Sequence, residues 1–125
     1  MATNLTPPWN LLGPAARVEW RRTTRWLAAR GILHDLDQNL LIAYAIAWER
    51  YLEAEVKVQE LGQVIRTDRG DEVLNPWLKI SDQARVRILE IGKRFGFTPM
   101  SRKRMGISIS DTGEKDSRWD RLRSL

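Results

Sequence analysis

The stretch Asn75–Met105, NPWLKISDQARVRILEIGKRFGFTPMSRKRM, is the most informative part of the chain about its fold, because it contains one complete helix and the start of another. Asn75-Pro76 is an N-cap followed by proline at the first helical position, where the missing N–H costs nothing. Gly96 is placed to end the helix in the left-handed conformation, and Thr98-Pro99 repeats the capped start. Apolar residues recur every three or four positions between these signals, which predicts one buried stripe. The stripe comprises Trp77, Ile80, Ala84, Ile88, Ile91 and Phe95.

Two more helices are predicted upstream of this stretch. The first runs from about Ala15 to Ala29 and stops at Gly31. The residues on its inner side are Ala16, Trp20, Thr23, Thr24 and Leu27. The second helix is the longest element, with Asp35 and Gln38 in capping-box spacing at its start and Gly62 at its end.

Residues 40–48 of the long helix are apolar on every side, which indicates burial on more than one face. Because we count only one other long helix that could cover it, we expect another copy of the chain to supply the second covering surface. The oligomerisation residues predicted on this basis are Leu40, Leu41, Tyr44, Trp48, Tyr51 and Leu52.

The remaining segments complete the organisation. Short apolar pairs flank the turn signal Asp68-Arg69-Gly70-Asp71, which predicts a small β-hairpin near residues 63–74. We expect residues 1–14 to form an irregular arm in which Trp9 and Leu11 are able to dock. Residues 15–105 are predicted to form the helical core and oligomerisation domain, and residues 106–125 a flexible tail. The fold class is mainly α: a three-to-four-helix protomer with a long central helix and a small hairpin, assembling into a ring.

Charge is distributed unevenly along the chain, whose net charge is +5. Residues 1–34 and 76–105 are net positive and flank a net negative segment, residues 35–62. Arg17, Arg21 and Arg25 lie one turn apart on the first helix, with Arg22 beside them, and like charges at that spacing repel. Two interpretations are equally open: the row binds phosphates, or it pairs with the acidic helix of the same or a neighbouring chain.

Several function classes are disfavoured by composition. The chain has no cysteine and a single histidine, His34, which is expected at an exposed helix cap, so no metal site is predicted. No phosphate-binding glycine loop or nucleophile turn is present, so we expect a non-enzyme without a cofactor. No signal peptide or membrane-spanning run is recognised, and a cytoplasmic protein is expected.

Six tryptophans are many for 125 residues. Trp20, Trp48 and Trp77 lie on predicted apolar stripes, where core packing explains them. Trp26 falls beside the arginine row and is expected to be partly buried. Trp119 recurs with Leu122 and Leu125 in the polar tail, and we predict that this run docks a partner.

Taken in order, these parts resemble the small subunit of a tailed-phage terminase, from about Val18 to Met105. The resemblance rests on an ordered set of motifs: EWRR at 19–22, ARGIL…D at 29–37, A-x-AW-x-RY at 45–51, NPWLKI at 75–80 and GFTP-x-SR at 96–102. The hairpin turn departs from the family, because Arg69-Gly70 stands where an asparagine-glycine type is common.

The resemblance implies a helical protomer that assembles into a ring, recognises viral DNA at the packaging start site and presents it to the large subunit, which is the ATPase and nuclease. The predicted partners are therefore double-stranded viral DNA, the large terminase subunit and further copies of the chain. The residues predicted to contact phosphates are Arg17, Arg21, Arg22, Arg25, Arg102, Lys103 and Arg104, with Arg50 and Lys57 as alternatives lining a central channel. Two rival functions stay open: a helical scaffold protein, and a dimeric transcription regulator.

Overall fold

A computed structural model describes residues 9–107 of the chain. Its elements are helix α1 (Pro14–Ala29), a 3₁₀ turn (Asp35–Asp37), the long helix α2 (Gln38–Leu61), strands β1 (Val64–Arg66) and β2 (Glu72–Leu74), helix α3 (Pro76–Phe95) and the short helix α4 (Pro99–Arg104). The predicted mainly helical class with one small hairpin is confirmed.

Helix α2 lies between α1 and α3, and both neighbours run antiparallel to it. Glu49, halfway along α2, accepts hydrogen bonds from the backbone N–H groups of Gly13 (3.1 Å) and Ala15 (3.3 Å) at the start of α1. Farther along α2, Glu55 accepts a hydrogen bond from Ser81 in α3. The first half of α2 is therefore covered by two helices of its own protomer.

This arrangement corrects the expectation that a second copy must cover residues 40–48. Leu41 and Ala45 pack with Leu27 of α1 and Phe95 of α3 in the main core cluster. Helix α1, at 16 residues, supplies the second covering surface, and it begins opposite the middle of α2. Among residues 9–107, α3 is the one helix that lies beside α2 beyond that point, and Leu52 and Val56 are exposed.

The helix signals that were read from sequence act largely as predicted. The Asn75 side chain accepts a hydrogen bond from Trp77 N–H (3.0 Å), and Pro76 occupies the first position of α3. Gly96 ends α3 with φ +78°, where a side chain would be strained. Thr98 caps α4 and exchanges hydrogen bonds with Ser101 in a capping box.

Three local predictions are wrong. The capping box at the long helix pairs His34 with Asp37, one residue earlier than predicted, because a 3₁₀ turn precedes α2. Leu12, not Leu11, is the leucine of the arm that enters the core. In α3, Ile80 is partly exposed, and Ser81 is buried toward Glu55 instead.

The hairpin connects the far ends of α2 and α3. Its register pairs Val64 with Leu74 and Arg66 with Glu72, and Gly70 turns the chain with φ +86°. Asn75 holds this end together: its side chain donates to the carbonyl of Gly62 (2.8 Å), and its backbone N–H donates to the carbonyl of Gln63 (2.8 Å). Val64 and Leu74 remain exposed, so the described residues do not cover either of them.

Candidate nucleic-acid interface

The outward face of α1 carries its arginines. The buried side of this helix comprises Ala16, Glu19, Trp20, Thr23 and Leu27. Arg21 and Arg25 project from the opposite side and border a shallow groove with Arg22, Trp26 and Arg30. Within residues 9–107, neither Arg21 nor Arg25 forms an ion pair with a carboxylate. Their charges are consequently available to a polyanion.

Arg17 is held by the arm. Its guanidinium donates to the carbonyl oxygens of Leu12 (2.8 Å) and Trp9 (2.6 Å). The Trp9 ring packs edge-on against Trp20, with 5.5 Å between centroids, and the Arg21 guanidinium lies 5.1 Å from the Trp9 ring centroid. Trp9 thus fixes one end of the arginine row, since a cation beside an aromatic ring is stabilised there.

Arg22 differs from its neighbours because it is paired. Two of its nitrogens donate to the Glu19 carboxylate at 3.0 and 2.7 Å, and Glu19 is only 3% exposed. The hydrogen bonds that Arg22 donates to the Glu19 carboxylate raise the pKa of Arg22, so the guanidinium stays charged. Burial raises the pKa of Tyr44 to about 12, and the Glu19 charge adds to this effect. Glu19 is therefore a buried acceptor that organises the inner side of α1.

The three cations of α4 differ in exposure, and Arg102 and Arg104 lie at two different grooves. Arg102 is half-buried and donates to the Gly96 carbonyl (3.1 Å), which turns it toward α1. Lys103 and Arg104 are exposed. Arg104 borders a second groove together with Lys93 and Arg94 from the last turn of α3.

The two basic segments meet at one cleft. Arg22 of α1 and Arg102 of α4 both line it, together with Trp26, Tyr44 and Phe97. Phe97, in the link between α3 and α4, lies 5.8 Å from the Trp26 ring and 5.2 Å from the Tyr44 ring, measured between centroids. These aromatic contacts dock α4 beside α1, so residues about 80 positions apart in the sequence form one surface.

We call this surface the basic end. It comprises Arg21, Arg22, Arg25 and Arg30 of α1, Lys93 and Arg94 of α3, and Arg102, Lys103 and Arg104 of α4. The opposite end is called the hairpin end and comprises α2 from Leu52 onward, β1, β2 and the first turn of α3. Arg50 and Lys57, the alternative channel residues, lie away from the basic end. Arg50 borders a groove between α2 and α3 with Arg87, and Lys57 lies 3.9 Å from the Glu60 carboxylate.

Comparison with known proteins identifies the family. A family model described as phage terminase, small subunit, matches residues 16–111, which is most of the chain. The chain belongs to the phage terminase small subunit family. Neither a curated protein nor a solved structure matches it significantly. The membership indicates a role in phage DNA packaging.

In this small terminase subunit, the predicted oligomerisation residues separate into three groups. Leu41 and Tyr44 are buried inside the protomer and leave no surface for a second copy. Trp48 and Tyr51 are half-buried, with ring centroids 6.3 Å apart. Leu40 and Leu52 are exposed. Among the six predicted residues, the two leucines and the aromatic pair therefore keep exposed surface in the described protomer.

Three cations of the basic end were not predicted as site residues. Arg30 stacks on Trp26 at 3.8 Å from the ring centroid, and Lys93 and Arg94 extend the cationic surface of α4. The net positive charge of residues 76–105 could have pointed to Lys93 and Arg94. The position of Arg30 just before Gly31, at the end of the first predicted helix, could have pointed to Arg30. Glu19 was missed as a buried residue, although its i,i+3 spacing to Arg22 was the available signal.

Some predictions concern groups outside this surface. The tail residues Trp119, Leu122 and Leu125 lie outside the described residues, as do residues 108–125 of the predicted tail (106–125) and residues 1–8 of the predicted arm (1–14). Within residues 9–107, no cluster of three histidine or carboxylate side chains could hold a metal ion. No helix in the same range is long and apolar enough to cross a membrane.

Proposed function

We propose that this small terminase subunit binds double-stranded viral DNA at the packaging start site through its basic end. The observation that carries the proposal is the cleft at which α1 and α4 meet, because it joins two separate cationic segments into one surface. Arg21, Arg25, Lys103 and Arg104 are exposed and free of carboxylate partners among residues 9–107. Cations of this kind contact phosphates and hold DNA in register without reading bases.

The experiment compares two triple variants in a fluorescence-anisotropy titration with duplex DNA at several salt concentrations. Arg102, Lys103 and Arg104 are replaced by Gln in one variant. Arg66, Arg69 and Lys79 of the hairpin end are replaced by Gln in the matched control. Each phosphate contact contributes about 0.9 to the slope of log K against log salt. We expect the first variant to flatten that slope by about 2 to 3 and the control to leave it unchanged; equal slopes in both variants would refute the role of the basic end.

We further propose that copies of the chain assemble into a ring through the hairpin end of each protomer. Leu52 and Val56 lie on the part of α2 that α1 does not reach, and Val64 and Leu74 are exposed on the hairpin. Contact with another copy would remove these apolar side chains from water, and each buried CH₂ contributes about 0.8 kcal/mol to such a contact. A ring would also repeat every arginine of the basic end and build a continuous positive belt.

Mass measurement in solution tests the assembly. We expect a large closed oligomer for the natural chain and a shift toward smaller species when Leu52 and Val56 are both replaced by Ser. The exposed Val18, on the outward face of α1, provides a matched control as Val18→Ser. A natural chain that forms only dimers would favour the transcription-regulator alternative, and a large oligomer that ignores DNA would favour the scaffold alternative.

Recruitment or regulation of the large terminase subunit is proposed for the tail run Trp119, Leu122 and Leu125, with the chain itself acting without catalysis. Small terminase subunits are generally regulators and DNA binders. Deleting residues 115–125 should leave the oligomeric mass and DNA affinity unchanged and abolish stimulation of the large subunit's ATPase. Full stimulation by the shortened chain would remove the tail from the proposal.

A further inference from the structure

The cleft between α1, α2 and α4 lies inside the basic end. Its cationic and aromatic lining is that of a binding pocket. It encloses about 170 Å³ and is lined by Arg22, Thr23, Trp26, Tyr44, Phe97 and Arg102. Four separate parts of the chain contribute: α1, α2, the α3–α4 link and α4. A groove so built keeps its shape only while all four parts are in place.

The two guanidinium groups of the cleft are held in position before any ligand arrives. Arg22 is fixed by two hydrogen bonds to buried Glu19, and Arg102 by one to the Gly96 carbonyl. A guanidinium has five N–H donors, so each arginine keeps at least three for a ligand. Glu19 cancels one of the two positive charges, and the cleft therefore retains one net positive charge. Side chains that are already ordered lose less entropy on binding.

The hydroxyl groups of the cleft do not compete for this role. Thr23 donates to the backbone carbonyls of Glu19 and Trp20, at 3.0 and 3.1 Å, so its proton is already used. Tyr44 is 5% exposed and stays neutral at physiological pH. Arg22 and Arg102 are thus the groups that an anion would meet.

The wall of the cleft is aromatic. Trp26 and Phe97 meet edge to face, and Phe97 also packs on Tyr44. An apolar wall excludes water from one side of the two cations, which strengthens their attraction for an anion. It also offers a contact surface to an apolar group attached to that anion. An isolated inorganic ion would leave the wall unused.

We propose that the cleft binds one phosphate group of a nucleotide, gripped between Arg22 and Arg102, with the attached sugar or base packed against Trp26 and Phe97. This site rests on the proposed DNA-binding function and deepens it, because Arg22 and Trp26 also border the α1 groove. The neighbouring phosphates of a DNA strand would then follow Arg25 and Arg21. The same chemistry would accept the phosphate of a free nucleotide.

The test titrates the full chain, labelled with ¹⁵N, with inorganic phosphate, thymidine 5′-monophosphate and a DNA duplex at matched ionic strength. The reporters are the Trp26 indole N–H and the Arg102 side-chain N–H signals. We expect saturable shifts with both small probes and tighter binding of the nucleotide. If the duplex also shifts these signals and the nucleotide reverses that shift, both ligands occupy the cleft, and DNA is a source of the phosphate. Shifts with the two small probes alone identify the free nucleotide as the ligand.

Variants locate the binding. Arg102→Gln should weaken nucleotide binding about tenfold, as expected for loss of a charge-assisted hydrogen bond. Arg25→Gln is the matched control, because Arg25 borders the α1 groove and not the cleft. It should weaken duplex binding and leave nucleotide binding unchanged. Glu19→Gln and Arg22→Gln are made together so that no buried charge is left unpaired. This double variant should weaken nucleotide binding as much as Arg102→Gln does.

Three results would overturn the site: no saturable shift with either small probe, unchanged nucleotide affinity in Arg102→Gln, or stronger shifts with a polyglutamate peptide than with the nucleotide. Loss of duplex binding in Arg25→Gln, found together with any of these results, would leave the proposed DNA-binding function standing. A chain that binds no DNA at low salt would remove that function separately.

Discussion

The basic end and the hairpin end are built on different physical principles. The basic end rests on the core cluster, where Leu27, Leu41 and Phe95 are buried and the cations stand on ordered helices. The hairpin end has little apolar burial and depends on the hydrogen bonds of Asn75. Cations and the aromatic contacts of Trp26 and Phe97 lie at the first end. The second end carries both signs of charge and exposes apolar side chains on α2 and on both strands, among them Val56, Val64 and Leu74. On the proposed function, we expect one protomer to present its basic end to a polyanion and its hairpin end to a protein.

The largest loss of stability is expected when the core beneath the basic end is weakened. Leu41→Ala opens a cavity at a fully buried position and should lower the free energy of unfolding by about 3 kcal/mol. The matched change at the hairpin end, Leu74→Ala, removes a side chain that is 72% exposed and should cost less than about 0.5 kcal/mol. Urea unfolding of dilute protein measures both values. Equal losses would show that the two ends are supported in the same way.

The second prediction concerns the residue that holds the hairpin end. Asn75→Ala removes the cap of α3 and the hydrogen bond to the Gly62 carbonyl at a position only 1% exposed. The expected loss is about 2 kcal/mol in the free energy of unfolding. Asn39→Ala, at an exposed site in α2, is the control and should change stability by less than about 0.5 kcal/mol. A hairpin whose amide protons remain protected in Asn75→Ala would contradict the assigned role.

Alkaline pH should weaken the basic end through the ionisation of Tyr44, which lines its cleft. Its folded-state pKa of about 12 exceeds the unfolded value of about 10, so folding favours the neutral phenol. The stabilisation is fully present below pH 10 and is lost as the pH rises through 12, with at most about 3 kcal/mol involved. Thermal unfolding between pH 9 and about 12 measures it, and Tyr44→Phe should remove this part of the pH dependence. An identical profile for both proteins would show that Tyr44 is not the responsible group.

The smallest effect is expected where the two ends join. Glu49→Ala removes the acceptor for the first N–H groups of α1 and should cost about 1 kcal/mol, as for loss of an N-cap. Glu53→Ala, one turn farther along α2 and exposed, is the control. Urea unfolding compares them, and equal stability of the two variants would exclude a capping role for Glu49.

Much of the fold was predictable because its signals are local. Asn75, Gly96 and Thr98 act through their own backbone neighbours, so their roles can be read from sequence. The burial of Ser81 in place of Ile80, and the cover that α1 gives to residues 40–48, depend on how the helices pack. Periodicity alone does not contain that information.

The candidate site shows the same division. The cations of α1 and α4 were predicted individually, since charge can be counted along a chain. Their meeting at one cleft depends on Phe97 packing against Trp26 and Tyr44, a contact between parts of the chain that are distant in sequence. The pairing of Arg22 with buried Glu19 was likewise missed, because a glutamate in a charged helix is ordinarily exposed.

Hydrogen–deuterium exchange with and without duplex DNA tests most directly whether nucleic acid binds one end of the protomer and spares the other. We expect slower exchange on DNA binding in residues 21–30 and 99–105 and unchanged exchange in residues 63–74. Slower exchange confined to the hairpin, or no change at the basic end under conditions where DNA is bound, would contradict it.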